Sequence, residues 1–541
     1  MKGKSSLVLS ILLILSLSLL LSACSGSGEK ASGGSSGDPK EGGSLIYARG
    51  ADAIGLDPIN VTDGESIRVT SNIFETLFVY DENLEVQPGL AESHKVSDDG
   101  LTWTITLKKG IKFQDGTDFN ADAVVFNFDR WMDPENPYHK GDFPYYPFLY
   151  GGFKGDPNHK IEYVKAVDES TVEFKLTEKT APFISYLAIP MFGIASPAAI
   201  EKHGDKFYQH PVGTGPFEFV SWKTNDKIVL KKNENYAGEG PYLDELIFRV
   251  IPENSSRLTA LQAGEVDIID GLNPDDATTI EADSNLSLVK RPSFNIGYMV
   301  LNTQMAPFDD VKVRQAVNMA IDKQAIVDAF YNGYAEVAKN PFPSVLWGYN
   351  DSIEDYKFNV EEAKKLLAEA GYPDGFKTQL WAMSNPRPYM PQPMKVAEAI
   401  QSDLKKVGIE AEIVTYEWAT YLQKSGNGEH PMGLYGWTGV MADPDNFLFP
   451  NLSATNTEKP ASNRAFYENE EFTKLLQDAR VTFDQEERAK LYQQAQEIFH
   501  KDAPWVTLAH TTPPIAMAAY VQGFTAHPME DDDFTKVYLT N

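Results

Sequence analysis

Alternation of apolar and polar side chains marks several short segments of the chain. Residues 101–107 carry Leu, Trp, Ile and Leu at every second position with threonines between them, and residues 172–176 repeat the pattern with Val, Phe and Leu. A period of two places the apolar side chains on one face of an extended chain. Both segments are therefore predicted to be half-buried β-strands.

Other segments have apolar residues at helical spacing. Asn359 is suited to cap a helix, Glu361 and Glu362 fall in its first turn, and Gly371 follows its last turn. This pattern predicts a helix between Asn359 and Gly371. Similar stripes predict helices over residues 313–329, 396–407 and 486–499.

The two patterns alternate between residues 376 and 437. They predict strands over 376–383, 409–416 and 432–437, with helices over 394–407 and in the segment before the last strand. Such alternation favours a parallel or mixed α/β sheet. Ligands of these sheets bind beyond the carboxyl ends of the strands. The loops 384–393 and 438–450, which follow strands, are therefore candidate binding segments.

The N-terminal segment has the pattern of an export signal. Lys2 and Lys4 precede an apolar run over residues 7–21, interrupted only by serines. The alternative is a transmembrane anchor, but the run is shorter than a span of ~20 residues and no basic stop-transfer cluster follows. Leu21-Ser22-Ala23-Cys24 resembles the lipobox of bacterial lipoproteins. That resemblance implies cleavage of residues 1–23 and acylation of Cys24, which would anchor the chain to a membrane.

Residues 24–43 are rich in Ser and Gly and contain almost no apolar side chains. They cannot offset their ordering entropy by burial, so a flexible tether is predicted. At 541 residues the whole chain is too long for one compact core, which indicates at least two lobes. Its single cysteine excludes an intrachain disulfide.

Charge and motifs exclude several functions. The formal net charge of -29 and the lack of a basic stripe make nucleic acid a poor partner. The sequence contains no G-x-S-x-G, H-E-x-x-H or P-loop motif. Its nine histidines are scattered without metal-ligand spacing. We therefore predict neither an enzyme nor a protein with a metal site or cofactor, and the lack of a heptad pattern favours a monomer.

Arg387 is the strongest candidate for ligand binding from the residues alone. It lies in Asn385-Pro386-Arg387-Pro388-Tyr389, where the prolines stiffen the loop after a predicted strand. A guanidinium on such a loop can donate two parallel hydrogen bonds to a carboxylate. The alternative is a structural ion pair. Tyr435 and Trp437 follow the same reasoning, because aromatic residues at such positions lie more often in the core than in a binding site.

Motifs spread over the chain resemble the family 5 solute-binding proteins of ABC importers, and within them the dipeptide-binding subgroup. The resemblance is carried by Gly89-Leu90-Ala91-Glu92, Phe119-Asn120-Ala121-Asp122, Asn136-Pro137-Tyr138-His139, Asp309 to Ala316, Trp347-Gly348-Tyr349-Asn350, Val414 to Trp418 and Asp443-Pro444-Asp445-Asn446-Phe447. It extends over essentially the whole chain from Ser44.

This resemblance implies an α/β, bilobal, periplasmic-binding-protein type II-like fold. The larger lobe would comprise residues 44–291 plus 511–541, with an extra subdomain at about 74–210, and the smaller lobe residues 292–510. A short peptide or related small anionic ligand would be enclosed when the lobes close. The chain would lie on the outer face of the bacterial cytoplasmic membrane and deliver its ligand to ABC permease and ATPase subunits.

The same resemblance assigns the binding site. Arg387 and Tyr389 match the segment that pairs with the ligand carboxylate, and an Asp after Trp437-Thr438-Gly439 usually binds the ligand amine. Here that position is Val440, which cannot balance a charge. The pocket predicted in this way comprises Tyr389, Met383, Trp437, Thr438, Gly439, Val440, Asp443 and Asp445. Asp443 and Asp445 are the candidate replacement anions.

Several alternatives stay open at this point. With Val440 in place of the Asp, the ligand is either a peptide whose amine meets another anion or a longer, N-blocked, γ-linked or glutathione-like molecule. A protein of this fold can also bind a nickel chelate, haem or an oligosaccharide. A secreted enzyme and a peptide-signal receptor are the remaining functional alternatives.

Overall fold

The computed structural model describes residues 40–541, and its largest sheet has seven strands. In spatial order these strands are Leu286–Lys290, Pro514–Ala518, Ile268–Ile269, Ser44–Arg49, Glu245–Val250, Lys227–Lys232 and Phe217–Lys223. The central strand Ser44–Arg49 pairs in parallel with both of its neighbours, whereas the outer pairs are antiparallel. The first strand of the described residues thus starts at the first apolar residues after the Ser/Gly-rich segment.

A second sheet has six strands and also mixes both pairings. In order, its strands are Ala335–Val337, Trp505–Thr511, Asn295–Leu301, Met432–Thr438, Phe376–Met383 and Ile409–Tyr416. Phe376–Met383 is parallel to both neighbours, as expected for strands joined by helical crossovers. The predicted α/β class is confirmed.

A third, four-stranded sheet is entirely antiparallel and consists of Ala91–Val96, Thr102–Leu107, Thr171–Leu176 and Ile161–Asp168. The two alternating segments of the sequence form its central strands. Trp103, Ile105 and Leu107 are buried there, as are Val172 and Phe174. Two-stranded ribbons complete the β-structure at Phe78–Tyr80 with Val86–Pro88 and at Val521–Gln522 with Tyr538–Leu539.

Helices flank the sheets. The α-helices are Gly64–Thr70, Ala121–Met132, Tyr145–Tyr150, Phe183–Tyr186, Pro197–His203, Asn254–Gln262, Ala277–Ala282, Val311–Ala320, Lys323–Phe330, Val360–Glu369, Pro393–Lys406, Trp418–Gly426, Asp445–Leu452, Glu470–Val481 and Gln485–Asp502. Short 3₁₀ turns occupy Pro58–Asn60, Pro190–Phe192, Gly204–Gln209, Pro274–Asp276 and Ala454–Asn456. Asn359 caps its helix as predicted, because its side chain accepts a hydrogen bond from Glu362 N.

Two sequence-based predictions of helix and loop boundaries were wrong. The helix predicted over 313–329 is two helices, because Ile321 is extended and Asp322 caps a new helix by accepting a hydrogen bond from Ala325 N. The predicted loop 438–450 contains the start of the helix Asp445–Leu452. Pro450 argues against a helix by sequence, but it lies within this buried one.

The chain passes twice between the seven-stranded and six-stranded sheets. The first crossing, residues 291–294, joins the strands Leu286–Lys290 and Asn295–Leu301. The second, residues 512–513, joins Trp505–Thr511 to Pro514–Ala518. The two crossings are therefore the covalent connections between the two sheets.

Contacts other than the crossings join the four-stranded sheet to the region of the six-stranded sheet. The apolar core beneath the four-stranded sheet continues into the core of the six-stranded sheet, whereas the seven-stranded sheet has a core of its own. Ala181 N donates to Arg480 O at 2.7 Å, and Arg480 Nη2 donates to Tyr186 Oη at 3.2 Å. The four-stranded sheet's region thus closes against the helix Glu470–Val481.

No helix within residues 40–541 is long and apolar enough to cross a membrane. The predicted signal peptide over residues 1–23, Cys24 and most of the tether predicted over 24–43 lie outside the described residues.

Candidate functional site

A cavity of about 1080 Å³ lies between the seven-stranded and six-stranded sheets. Arg68 and Asp270 line it on the side of the seven-stranded sheet, and Arg387 and Trp418 line it on the other. Arg291 of the first crossing also contributes to the wall. A concave site of this size between two layers is the usual location of a small-molecule site in α/β proteins.

Arg387 is held in a tight turn beyond the end of the strand Phe376–Met383. Its N donates to Met390 O at 3.1 Å, and Met390 N donates to Arg387 O at 2.9 Å. Its guanidinium lies over the ring of Trp418, with Cζ 4.1 Å from the ring centroid. The turn and the stacked ring together fix the direction of the guanidinium before any ligand binds.

The guanidinium of Arg387 has unused hydrogen-bonding capacity. Its Nε is buried without a hydrogen-bond partner among residues 40–541. Within the same residues, Arg387 takes part in no ion pair with an Asp or Glu, in contrast to Arg480 and Arg488. A guanidinium at a cavity wall without an internal anion is suited to receive one from a ligand.

Tyr389 fixes the same turn to the sheet. Its ring packs directly on Gly436 of the strand Met432–Thr438, where a Cβ would lie 2.1 Å from Tyr389 Cδ2. Its hydroxyl donates to Met383 Sδ at 3.7 Å, and burial raises the pKa of Tyr389 to about 12. Pro388 O accepts the Thr511 hydroxyl at 2.9 Å, which ties the turn to the end of the strand before the second crossing.

The segment after Met432–Thr438 also reaches the cavity. Thr438, Gly439 and Val440 line its wall. Asn446 orients this segment, because its Oδ1 accepts hydrogen bonds from Val440 N at 3.0 Å and from Trp437 Nε1 at 3.3 Å. The side chain presented at position 440 is apolar, so it offers no acceptor for a ligand amine.

The predicted pocket residues Met383, Trp437, Asp443 and Asp445 are not among the lining residues. Met383 contacts the cavity indirectly, through its hydrogen bond with the Tyr389 hydroxyl. Five predicted residues do line the cavity: Arg387, Tyr389, Thr438, Gly439 and Val440.

Asp443 and Asp445, the predicted replacements for the missing amine-binding Asp, are both buried beside arginines. Asp443 pairs with Arg488 at 2.8 Å, and Asp445 Oδ1 lies 3.3 Å from Arg480 Nε in an orientation that is ionic rather than hydrogen-bonded. The charges of both aspartates are thus balanced within the chain. Neither aspartate lines the cavity, so this geometry does not support their role as acceptors of the ligand amine, which stays a prediction.

The opposite wall contains charged residues that sequence analysis missed. Arg68 lies at its centre, with its side-chain nitrogens 3.5 Å from Glu65, 3.0 Å from Asp270 and 3.6 Å from Glu530. Glu65 is three positions from Arg68, but Asp270 and Glu530 lie hundreds of positions away in the chain, so no local pattern brings them to Arg68. Trp418 was also missed, although it directly follows the strand Ile409–Tyr416 and the rule of strand ends could have identified it.

The pKa of the Glu65 carboxyl is raised. Burial, together with the neighbouring carboxylate of Asp270, raises the pKa of Glu65 to about 7, although Arg68 and Arg49 act in the opposite direction. The Glu65 carboxyl is therefore harder to ionise than an exposed glutamate. Among residues 40–541, no group of three His, Cys, Asp or Glu side chains is arranged to hold a metal ion.

Comparisons with known proteins identify the family. Residues 85–459 match the middle region of the bacterial extracellular solute-binding proteins, family 5. The chain is 38% identical to the heme-binding protein A of Haemophilus influenzae, over 99% of this chain and 98% of that protein. It is 39% identical to the dipeptide-binding protein of Escherichia coli, over 92% of this chain and 94% of that protein.

A solved structure extends the similarity to the fold. The ABC transporter-associated periplasmic binding protein DppA from Helicobacter pylori, in complex with the peptide STSA, matches with a TM-score of 0.80 and 37% identity, over 93% of this chain and 99% of that one. This similarity confirms the predicted bilobal, periplasmic-binding-protein type II-like fold. The chain belongs to family 5 of the bacterial extracellular solute-binding proteins.

Proposed function

We propose that this chain is the lipid-anchored substrate-binding protein of an ABC importer and that it captures short peptides in the cavity between its two main sheets. Relatives named for dipeptide binding and a similar structure holding a four-residue peptide support the peptide class of ligand. The protein would hand its ligand to permease and ATPase subunits on the outer face of the cytoplasmic membrane. It would act as a transport component and not as an enzyme.

One observation carries this proposal. Arg387 lies at the cavity wall with its guanidinium stacked 4.1 Å from the Trp418 ring centroid, its Nε buried, and no carboxylate partner within residues 40–541. Leaving a charged donor without a partner in a closed site costs free energy that a ligand anion can recover. The C-terminal carboxylate of a peptide supplies a planar pair of oxygens that matches the guanidinium.

The capture mechanism we propose is closure of two lobes around the peptide. The larger lobe would comprise residues 44–291 plus 511–541, with an extra subdomain at about 74–210, and the smaller lobe residues 292–510. The crossings 291–294 and 512–513 would serve as hinges, because they are the only covalent connections between the two sheets in the described chain. Closure would bring the Arg387 wall and the Arg68 wall together and exclude water.

Val440 narrows the class of peptide. An apolar side chain at this position cannot accept a hydrogen bond from an ammonium group. Dipeptides held at this segment through their amine are therefore disfavoured. The cavity of about 1080 Å³ is at the upper end of the range for small-molecule sites, so it has room for a peptide longer than two residues.

Native mass spectrometry of the protein purified without denaturation tests this function. We expect a bound mass that fragments as a short peptide with a free carboxylate, and we expect Arg387→Ala protein to carry none. Arg249→Ala is the matched control, since Arg249 is a partly exposed arginine outside the cavity lining. A bound molecule without an acid group, or equal retention by Arg387→Ala, would overturn the proposal.

A further inference from the structure

The wall opposite Arg387 carries three carboxylates around one arginine. We call Glu65, Asp270 and Glu530 the acidic wall; all three line the cavity and lie 3.0–3.6 Å from Arg68 nitrogens. A Cβ on Gly64 would lie 2.9 Å from Glu530 Oε2, which places Glu530 beside Glu65. The acidic wall is thus assembled from three distant parts of the chain.

Carboxylates outnumber guanidinium groups in this network. Its guanidinium groups are those of Arg49, Arg68, Arg257 and Arg291, and its carboxylates are those of Asp52, Glu65, Asp270, Glu530 and Asp532. Five carboxylates therefore meet four guanidinium groups. Asp532 is fully buried and forms a two-point ion pair with Arg291, at 2.7 Å for each oxygen.

The excess negative charge faces the cavity. Side-chain exposure is 23% for Glu65, 19% for Asp270 and 23% for Glu530, whereas it is 0% for Asp532. Burial is the main cause of the raised pKa of Glu65, and the neighbouring carboxylate of Asp270 adds to it by disfavouring a second negative charge. A cation entering from the cavity would remove that repulsion.

Two other groups on the cavity wall lack partners. The Tyr331 side chain is 1% exposed and lines the cavity, and its hydroxyl has no hydrogen-bond partner among residues 40–541. Asp63 also lines the cavity; its Oδ1 caps the helix Gly64–Thr70, while its Oδ2 is buried and unpaired. Buried polar groups are normally satisfied, so both indicate polar groups of a ligand inside the cavity.

We propose that the acidic wall, with Asp63 beside it on the same cavity, binds the ammonium group of the ligand while Arg387 binds its carboxylate. This inference rests on the proposed peptide function and adds the second recognition point. The peptide would then bridge the two lobes, with its carboxylate on the small-lobe side and its amine on the large-lobe side. Amine recognition would have moved from the segment containing Val440 to the other lobe.

This arrangement gives a partner of opposite charge to both the ammonium group and the carboxylate of a zwitterionic ligand. On the small-lobe side Val440 is apolar, and Asp443 and Asp445 are held by Arg488 and Arg480. A ligand ammonium enclosed there would have no carboxylate partner, at a cost of several kcal/mol. On the acidic wall the same ammonium meets excess carboxylate. Ligand binding to both walls would also favour closure, since each lobe would hold one end.

Calorimetric titration of Ala-Ala-Ala and N-acetyl-Ala-Ala-Ala tests the inference. With the natural protein we expect the free-amine peptide to bind more tightly than the acetylated one by about tenfold or more. We expect Glu530→Gln and Glu65→Gln each to weaken only the free-amine peptide, so that the difference between the two peptides shrinks. Unfolding temperatures of the variants check that they are folded, and either folded variant suffices.

Asp275→Asn is the matched control. Asp275 also lines the cavity and loses the same charge, but it forms no ion pair with the Arg68 network in the described chain. If Asp275→Asn reduced the affinity difference between the two peptides equally, the ammonium group would be attracted by the overall negative charge of the cavity and not by a defined site. That result would overturn the inference.

The two proposals fail in different ways. Equal affinity of both peptides for the natural protein, with binding still lost in Arg387→Ala, would overturn the ammonium site and leave the peptide function standing. No binding of either peptide would contradict both.

Discussion

Arg387 and Trp418 form a cation–π pair at the cavity wall, with the guanidinium carbon 4.1 Å from the ring centroid. Arg387 lies in the loop after the strand Phe376–Met383, and Trp418 begins the helix after the adjacent parallel strand Ile409–Tyr416, so the sheet register sets their distance. The aromatic face limits the rotation of the guanidinium, which has no carboxylate partner among residues 40–541 and is suited to bind a planar anion.

This pairing predicts the effect of Trp418→Leu. The leucine keeps an apolar side chain but removes the π face, so Arg387 gains rotamer freedom that a ligand must then restrict. We expect peptide affinity to fall about tenfold, which corresponds to about 1.4 kcal/mol. Titration calorimetry measures it. Trp222→Leu, outside the cavity lining, is the control, and an unchanged affinity of Trp418→Leu would contradict the positioning role.

The close packing of the Tyr389 ring on Gly436 predicts that a side chain at position 436 displaces the Arg387 turn. An alanine Cβ there would lie 2.1 Å from Tyr389 Cδ2, so the ring and the Arg387 turn must shift. We expect Gly436→Ala to fold with a loss of about 1–3 kcal/mol of unfolding free energy and to lose most of its peptide affinity. Gly55→Ala is the control, because the nearest atoms to its Cβ are 3.9 Å away. Full affinity in folded Gly436→Ala would refute this dependence.

His510 predicts a pH dependence of stability. It is buried beside the second crossing, its Nδ1 lies 2.8 Å from Asn295 O, and burial lowers its pKa to about 4. Because the unfolded state takes up a proton below about pH 6.5 and the folded state does so only near pH 4, stability falls as the pH decreases through this window. We expect His510 alone to contribute a loss of about 2 kcal/mol between pH 7 and pH 5.

Urea unfolding at both pH values measures this contribution. His510→Asn keeps a donor for Asn295 O but does not titrate, so its stability should change less than that of the natural protein over the same interval. The exposed His210→Asn serves as the control. Identical pH dependence of His510→Asn and the natural protein would show that His510 is not the group responsible.

Cys24 carries the prediction on membrane attachment. If it is acylated, Cys24→Ser protein should appear in the soluble extracytoplasmic fraction, while the natural protein sediments with membranes. Fractionation of intact cells followed by immunoblotting distinguishes the two. Ser25→Ala is the control, and membrane sedimentation of Cys24→Ser would contradict lipid anchoring.

The sequence allowed the local elements to be predicted more reliably than the site. Residues 376–383 and 409–416 form strands with the predicted bounds, because their periodicity is a property of neighbouring residues. Arg387 was identifiable because prolines flank it after a strand. The acidic wall was not, since Glu65, Asp270 and Glu530 meet only through the tertiary fold. The ion pair of Asp443 was not predictable for the same reason, because its partner Arg488 lies 45 residues away.

The most direct measurement of carboxylate capture is a two-by-two calorimetric cycle. It combines the free acid and the C-terminal amide of Ala-Ala-Ala with the natural protein and Arg387→Ala. We expect amidation to weaken binding to the natural protein by about 2 kcal/mol, and Arg387→Ala to bind the acid and the amide equally weakly. If the natural protein binds the amide as tightly as the acid, Arg387 does not capture a carboxylate and the peptide-carrier account is wrong.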